Sequence, residues 1–198
     1  DTTNYGITEN ILLDLGNTDF TSSTFFELEN NNFLLKGNLS SGSSNNDVYL
    51  AKIDLTGEVY WEQTVGGNSY DSIIQVKSIN DDIYLCGKSF SYDGIFAEHY
   101  GSGVEWGDEP LKTNWALKLD SNGNIVWNKL FAPSCDSYFN GEFRDINHIG
   151  EFIILSGHKY NQYDFNPPFE SQCNKDVFAV KIDLDGNIVE KSDWQINP

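Results

Sequence analysis

The chain has 198 residues, an aromatic content of 14% and a formal net charge of −18. A chain this acidic repels phosphate backbones and anionic lipid surfaces, so nucleic acid is not an expected partner. No apolar run approaches the roughly 20 residues that a membrane span requires. The aromatic composition, rich in Asn, Ser and Gly and poor in strong helix formers, favours an all-β protein.

The first strand is predicted at 10–16, where an apolar run ends in Gly16. It follows a start without a signal-peptide pattern, which we expect to be a mature or trimmed one. The run aligns with 58–66, the last strand of a later repeat. We therefore expect 10–16 to be a leading strand ahead of the repeats.

Three segments repeat a strand, a tight turn and a second strand, at 47–61, 114–127 and 176–189. Apolar and polar residues alternate along the first strand of each segment, which is the period of a β-strand. Each turn begins with Asp and holds a Gly, residues that suit turns because Asp caps them and Gly accepts a positive φ. The repeat therefore predicts three equivalent β-hairpins.

Two further apolar runs precede each hairpin, so each unit is predicted to have four strands, A to D. The units span 24–64, 72–130 and 142–192 of a single domain, 1–198. Short antiparallel strands repeated in this way predict four-stranded blades of a β-propeller-like fold. Propellers usually have 4 to 8 blades. Three interpretations stay open: a fragment of a larger propeller, an assembly with another chain through exposed strand edges, or three large blades that close by themselves.

The repeat resembles the propeller repeats of secreted and surface proteins of Bacteroidota-type bacteria. The resemblance rests on Lys-x-Asp-x-x-Gly-Asn-x-Val-Trp, on the Gly-Gly and Asp within 65–74, and on Asp-Phe-Asn-Pro at 164–167. The third unit departs from it, because Glu190 stands in place of the Trp. The resemblance implies the propeller fold and a secreted or lipid-anchored protein, outside the cell or on the bacterial outer surface. It implies no particular activity.

The sequence has three cysteines. It lacks a Cys-x-x-Cys pair, the spacing that would indicate a zinc site. Cys86 lies in an apolar run and is predicted to be a buried small hydrophobe. Cys135 and Cys173 lie in polar loops, and the strand directions place both loops on one face. We predict a disulfide between them, which would indicate an oxidising compartment.

The third hairpin has oxygen-bearing side chains at alternating positions, Asp183, Asp185 and Asn187, as at the start of a calcium-binding EF-hand loop. However, Trp194 stands where that loop needs its Glu, and strands flank the turn where the EF-hand has helices. The favoured interpretation is an ordinary hairpin turn. A structural calcium ion is the alternative, and no other cofactor is expected.

The B–C loops, 38–46, 88–113 and 158–175, share one face with the D–A links because strand direction alternates. The second and third loops are long and aromatic, and long loops on a rigid scaffold often carry function. The predicted ligand-binding residues are Tyr92, Tyr100, Glu105, Trp106, Asp108, Tyr163, Asp164 and Phe165. The alternative is that the loop aromatics pack beneath their own loops.

No set of catalytic residues is evident, since there is no Gly-x-Ser-x-Gly, no phosphate-binding loop and no His pair at metal-ligand spacing. The sequence therefore predicts a non-enzymatic binding or assembly module, extracellular or at the cell surface, that recognises a protein or a glycan through its long loops. The alternative is a glycan-directed hydrolase that uses paired carboxylates from 88–113.

Overall fold

The computed structural model describes residues 20–40, 46–91, 93–97, 113–131, 142–160 and 175–194. In these ranges the chain is built of β-strands, and its helices are two 3-10 turns, Glu29–Asn31 and Gly94–Phe96. No helix in the described ranges has the length and apolar character to cross a membrane. The predicted leading strand, 10–16, lies outside the described residues.

The strands are grouped in three consecutive sets of four. They are β1 (Phe20–Glu27), β2 (Asn32–Ser40), β3 (Asn46–Asp54), β4 (Val59–Val65), β5 (Asp71–Ile79), β6 (Asp82–Ser89), β7 (Thr113–Leu119), β8 (Ile125–Phe131), β9 (Glu142–Ile149), β10 (Phe152–Tyr160), β11 (Lys175–Asp183) and β12 (Ile188–Trp194). Each set forms its own antiparallel sheet, with its strands side by side in chain order. The structure thus confirms the predicted all-β, propeller-like fold of three four-stranded units.

The middle sheet is apolar on both faces because it is sandwiched between the other two. In β6, Ile83 and Leu85 belong to the core shared with the first unit, whereas Tyr84 and Cys86 belong to the core shared with the third. Cys86 is buried, as predicted, and burial raises the pKa of its thiol to about 12. Each large side chain buried in such a core contributes about 1.5–3 kcal/mol.

The glycine that ends the apolar run of the second strand is required by a close backbone approach. A Cβ at Gly87 would lie 2.0 Å from the carbonyl oxygen of Ser72, and one at Gly157 would lie 1.9 Å from that of Glu142. In both units the first strand has a register shift opposite this glycine. The glycine therefore lets a bulged first strand lie flat against the second.

The second and third units contact each other through their first strands, whereas the first unit contacts the second through its third strand. β5 contacts β9, and each also contacts a strand of a neighbouring unit, β3 for β5 and β6 for β9. In a propeller the first strand of each blade lies nearest the central axis, and the contact of β5 with β9 fits this arrangement. Because neighbouring strands are antiparallel and in chain order, the strand ends at the B–C and D–A connections lie on one face, and those at the A–B and C–D turns lie on the other.

Candidate functional site

The ligand-binding residues predicted on the long loops all lie outside the described residues. They are Tyr92, Tyr100, Glu105, Trp106, Asp108, Tyr163, Asp164 and Phe165. The same holds for Cys135 and Cys173, so the disulfide also stays a prediction. The described part of the loop face includes the base of loop 88–113 and the link between the first and second units.

Aromatic side chains at this base pack inward. Phe96 is buried, with its ring centroid 5.8 Å from that of Trp115. Phe90 meets Tyr70 edge to face, with the ring centroids 6.3 Å apart. Phe96 therefore follows the alternative interpretation, in which aromatics pack beneath their own loops, whereas Phe90 is half-buried.

Polar contacts tie the loop base to the link between the first and second units. Successive backbone N–H groups of the link donate to the loop: Asn68 to Asp93 Oδ1 at 2.7 Å and Ser69 to Ser91 Oγ at 2.9 Å. Ser91 Oγ in turn donates to Asp71 Oδ2 at 2.9 Å. The carboxylate that this part of the loop contributes, Asp93, is thus engaged in holding the link.

Asp71 is the buried centre of this network, with 1% of its surface exposed. Its Oδ2 also accepts the N–H of Gly67 at 2.9 Å. Burial raises the pKa of Asp71, although the hydroxyls of Ser89 and Ser91 and the Gly67 N–H oppose the shift. A carboxylate this enclosed cannot meet a glycan, so we interpret it as an anchor for the loop base.

The candidate calcium residues form a hairpin turn in the structure. Asp183 Oδ1 accepts the N–H groups of Asp185 and Asn187, and its Oδ2 accepts from Asn187 Nδ2. These hydrogen bonds, above all that from the Asn187 side chain, lower the pKa of Asp183. Within the described ranges, no three His, Cys, Asp or Glu side chains converge on a possible metal position. Calcium binding at this turn stays a prediction.

The D-strand tryptophans connect each unit to the hairpin of the next. Trp61 Nε1 donates to the carbonyl of Ser121 at 3.0 Å, and Trp127 Nε1 donates to that of Leu184 at 3.1 Å. We call these contacts the first joint, between units one and two, and the second joint, between units two and three. Both indole rings are half-buried.

At each joint the tryptophan ring packs directly against the turn glycine. A Cβ at Gly123 would lie 2.6 Å from the Trp61 ring, and one at Gly186 would lie 2.9 Å from the Trp127 ring. Both glycines also have a positive φ, 85° and 81°. The glycine is therefore required twice, for the turn and for the contact between units.

The second joint is filled by an ion pair and an aromatic ring. Lys118 Nζ lies 2.8 Å from Asp82 Oδ2 and 5.2 Å from the centroid of the Tyr84 ring. Tyr84 meets Trp127 edge to face at 6.0 Å. Burial acts to lower the pKa of Lys118, but its hydrogen bonds to Asp82 and Tyr84 outweigh burial and raise it.

The first joint has the same framework with two of these groups replaced. Strand pairing places Asn32 at the position of Asp82 and Leu34 at the position of Tyr84. Lys52, the counterpart of Lys118, donates to the carbonyl of Ser121 at 3.2 Å and forms no ion pair with a carboxylate that the structure describes.

A cavity of about 390 Å³ lies at the first joint. Its lining residues are Asn32, Lys52, Tyr60, Trp61, Ser121 and Asn122. Tyr60 is 53% exposed and its hydroxyl donates to Asp54 Oδ2 at 3.3 Å. The lining combines two aromatic side chains with amide, ammonium and hydroxyl groups, and the volume is that of a small-molecule site.

This cavity lies on the face opposite the predicted loop site, among the A–B and C–D turns. Sequence reasoning passed over it because each lining residue fits a strand or a turn. A signal was nevertheless present: when the repeats are aligned, the Lys and Trp are kept in units one and two, whereas the residues at 32 and 34 differ from those at 82 and 84.

No protein-family model matches this chain, and no curated protein matches it. Among solved structures, the subtype N10 neuraminidase-like protein of A/little yellow-shouldered bat/Guatemala/060/2010 aligns with a TM-score of 0.47 and 10% identity, over 87% of this chain and 43% of that one. Two Synechocystis apocarotenoid oxygenase mutants align with TM-scores of 0.44 and identities of 14% and 15%, over 82% of this chain and 35% of theirs. The chain thus spans less than half the length of each of these three chains. Alignments this loose give it neither a family nor an activity.

Proposed function

We propose that the chain is a non-enzymatic binding module and that its ligand occupies the cavity at the first joint. The observation that carries the proposal is the difference between two equivalent joints, of which the second is filled by Asp82, Lys118 and Tyr84 while the first has an aromatic-lined cavity. Binding sites are typically preformed concave surfaces with a few polar groups among aromatic ones.

The rigidity of its walls supports the cavity as a binding site. Trp61 is fixed by its hydrogen bond to Ser121 and by the packing of its ring against Gly123. Asn122 belongs to a turn whose N–H groups are held by Asp120 Oδ1 at 2.9 and 2.8 Å. A site whose groups are already held loses little conformational entropy when a ligand binds.

The proposal includes a place for the protein, outside the cell or on the bacterial outer surface. It is supported by the resemblance of the repeats to those of secreted and surface proteins, and by the acidic composition, which suits a soluble surface domain. Cell fractionation of the native source tests it. Recovery of the protein in the cytoplasm, with Cys135 and Cys173 reduced, would contradict this part of the proposal.

The experiment for ligand binding compares two indole groups. An array of oligosaccharides and a library of short peptides are screened for binding, and each hit is titrated into ¹⁵N-labelled protein. The proposal expects the indole N–H resonance of Trp61 to shift on binding and that of Trp127 to stay. A hit that moves Trp127, or neither indole, places its site elsewhere and contradicts the proposal.

A matched pair of variants controls for general effects on the fold. Tyr60 and Val126 occupy the same bulge position in successive units and are each 53% exposed. Tyr60→Ala removes a wall of the cavity and should weaken binding about tenfold, as loss of an aromatic contact does. Val126→Ala should leave binding unchanged. Equal effects of the two variants would contradict the assignment of the site.

A further inference from the structure

We propose that the ligand at the first joint is a neutral sugar of a glycan, and that Lys52 contacts its hydroxyl groups because Asn32 leaves this lysine without an acidic partner among the residues that the structure describes. The inference rests on the proposed function and names the class of ligand. It follows from three features of the cavity: its donors, its aromatic walls and the charges at its rim.

The ammonium group of Lys52 has more N–H donors than its hydrogen bond to Ser121 uses. An ammonium group has three N–H donors, and Lys52 uses one on the carbonyl of Ser121 at 3.2 Å. At the second joint the equivalent lysine, Lys118, is held by Asp82 at 2.8 Å. Because Asn32 replaces that carboxylate, Lys52 can turn donors toward a ligand in the cavity.

The other lining groups match the surface of a sugar ring. Trp61 and Tyr60 offer apolar ring faces, and sugar rings have apolar C–H faces of similar size. Asn32 and Asn122 each bring an amide, which donates and accepts, as hydroxyl groups do. An apolar peptide side chain would leave these polar groups without partners, at a cost to its affinity.

The rim charges favour a neutral sugar over an acidic one. Tyr60 donates to Asp54, and Asp120 directly precedes the lining residue Ser121. Both carboxylates stay ionised near neutral pH, because hydrogen bonds within their turns lower their pKa values: chiefly that from the Thr56 side chain for Asp54, and that from Asn124 for Asp120. The Lys52 ammonium attracts an anion, but the two rim carboxylates and the net charge of −18 on the chain outnumber it and repel a uronate.

The test compares matched ligands. Oligosaccharides of galacturonate and glucuronate are measured against the corresponding neutral galactose and glucose oligomers by calorimetry at low and high salt. The neutral member of a pair should bind at least about threefold tighter at low salt, and the gap should narrow as salt screens the rim. Tighter binding of the uronate would overturn the inference.

The role of Lys52 is tested by moving the acidic partner between the joints. Asn32→Asp places a carboxylate beside Lys52, as Asp82 lies beside Lys118, and should weaken binding of the neutral sugar about fivefold through loss of a hydrogen-bond donor. Asp82→Asn at the second joint should leave the affinity unchanged. Retention of full affinity by the Asn32→Asp variant would overturn the role of Lys52.

Failure of the inference and failure of the proposed function give different results. If peptides and no sugars bind, and binding depends on Tyr60, the chain remains a binding module and the sugar assignment is wrong. If sugars bind equally well to the native chain and to Tyr60→Ala, the cavity is not the site and both proposals fail.

Discussion

The first and second joints are built from the same parts and differ in what lies between them. In each, a half-buried tryptophan crosses to the next unit, donates to a hairpin carbonyl and rests on a turn glycine. At the second joint an ion pair and the Tyr84 ring complete the contact. At the first, where these groups are absent, the tryptophan borders a cavity of about 390 Å³. Repetition thus provides the scaffold, and departures from it at two positions provide the candidate site.

Substitution of the two tryptophans should cause the largest loss of stability, and the loss should differ between the joints. Complete burial would make loss of a tryptophan cost about 3–5 kcal/mol, and half-burial lowers that figure. We expect Trp127→Ala to reduce the free energy of unfolding by about 3 kcal/mol and Trp61→Ala by about 2 kcal/mol, because Trp127 also loses its edge-to-face contact with Tyr84. Urea titration measures both values. A loss below about 1 kcal/mol at either position would show that its ring does not hold the units together.

Substitution of the two lysines should also change stability by different amounts at the two joints, but the difference should be smaller. Lys118→Met breaks a partly buried ion pair and should cost about 1 kcal/mol, the upper end for such pairs. Lys52→Met removes a single hydrogen bond to a carbonyl and should change stability by no more than about 0.5 kcal/mol. Thermal and urea unfolding of the two variants under identical conditions provide the comparison. A larger loss from Lys52→Met would mean that the first joint, too, depends on its lysine.

The smallest effect on stability should come from the turn carboxylates Asp120 and Asp183. It should be equal at the two joints, because their hairpins are alike. Hydrogen bonds lower the pKa of Asp120 and Asp183, those from the side chains of Asn124 and Asn187 most strongly. A lowered pKa in the folded state gives stability that is present above the unfolded-state pKa and is lost as pH falls through the folded-state pKa, which lies below 3.8.

Unfolding measurements between neutral and acidic pH test this sign. Asp120→Asn and Asp183→Asn should each destabilise the chain near neutral pH, and the difference from the native chain should shrink on acidification. Growth of that difference as the pH falls would mean that the carboxylates are not stabilised by their turns in the folded state.

The fold could be predicted from the sequence because each strand carries its own signal. The second unit was predicted to have four strands within 72–130, and its four strands run from Asp71 to Phe131. The register in which neighbouring strands pair could not be predicted from the sequence. The register shift that each D strand shows opposite its lysine, at Tyr60 in the first unit, depends on cross-strand contacts that no local pattern encodes.

The candidate site was less predictable for a physical reason. The cavity arises where side chains distant in sequence meet, with Asn32 near the start of the first unit and Asn122 in the hairpin of the second. The loop aromatics drew attention because they are conspicuous in sequence, yet Phe96 is buried against Trp115. The eight ligand-binding residues predicted on the long loops lie outside the described residues, and that site stays a prediction.

The most direct test of the account converts the first joint into a copy of the second. The double substitution Asn32→Asp and Leu34→Tyr supplies the ion-pair partner and the ring that fill the equivalent space at Lys118. Calorimetry then measures binding of the neutral oligosaccharide that the native chain binds most tightly. If the first joint is the binding site, this variant folds cooperatively and its binding is lost. A folded variant that binds this oligosaccharide with native affinity would contradict the claim that the first joint is the binding site.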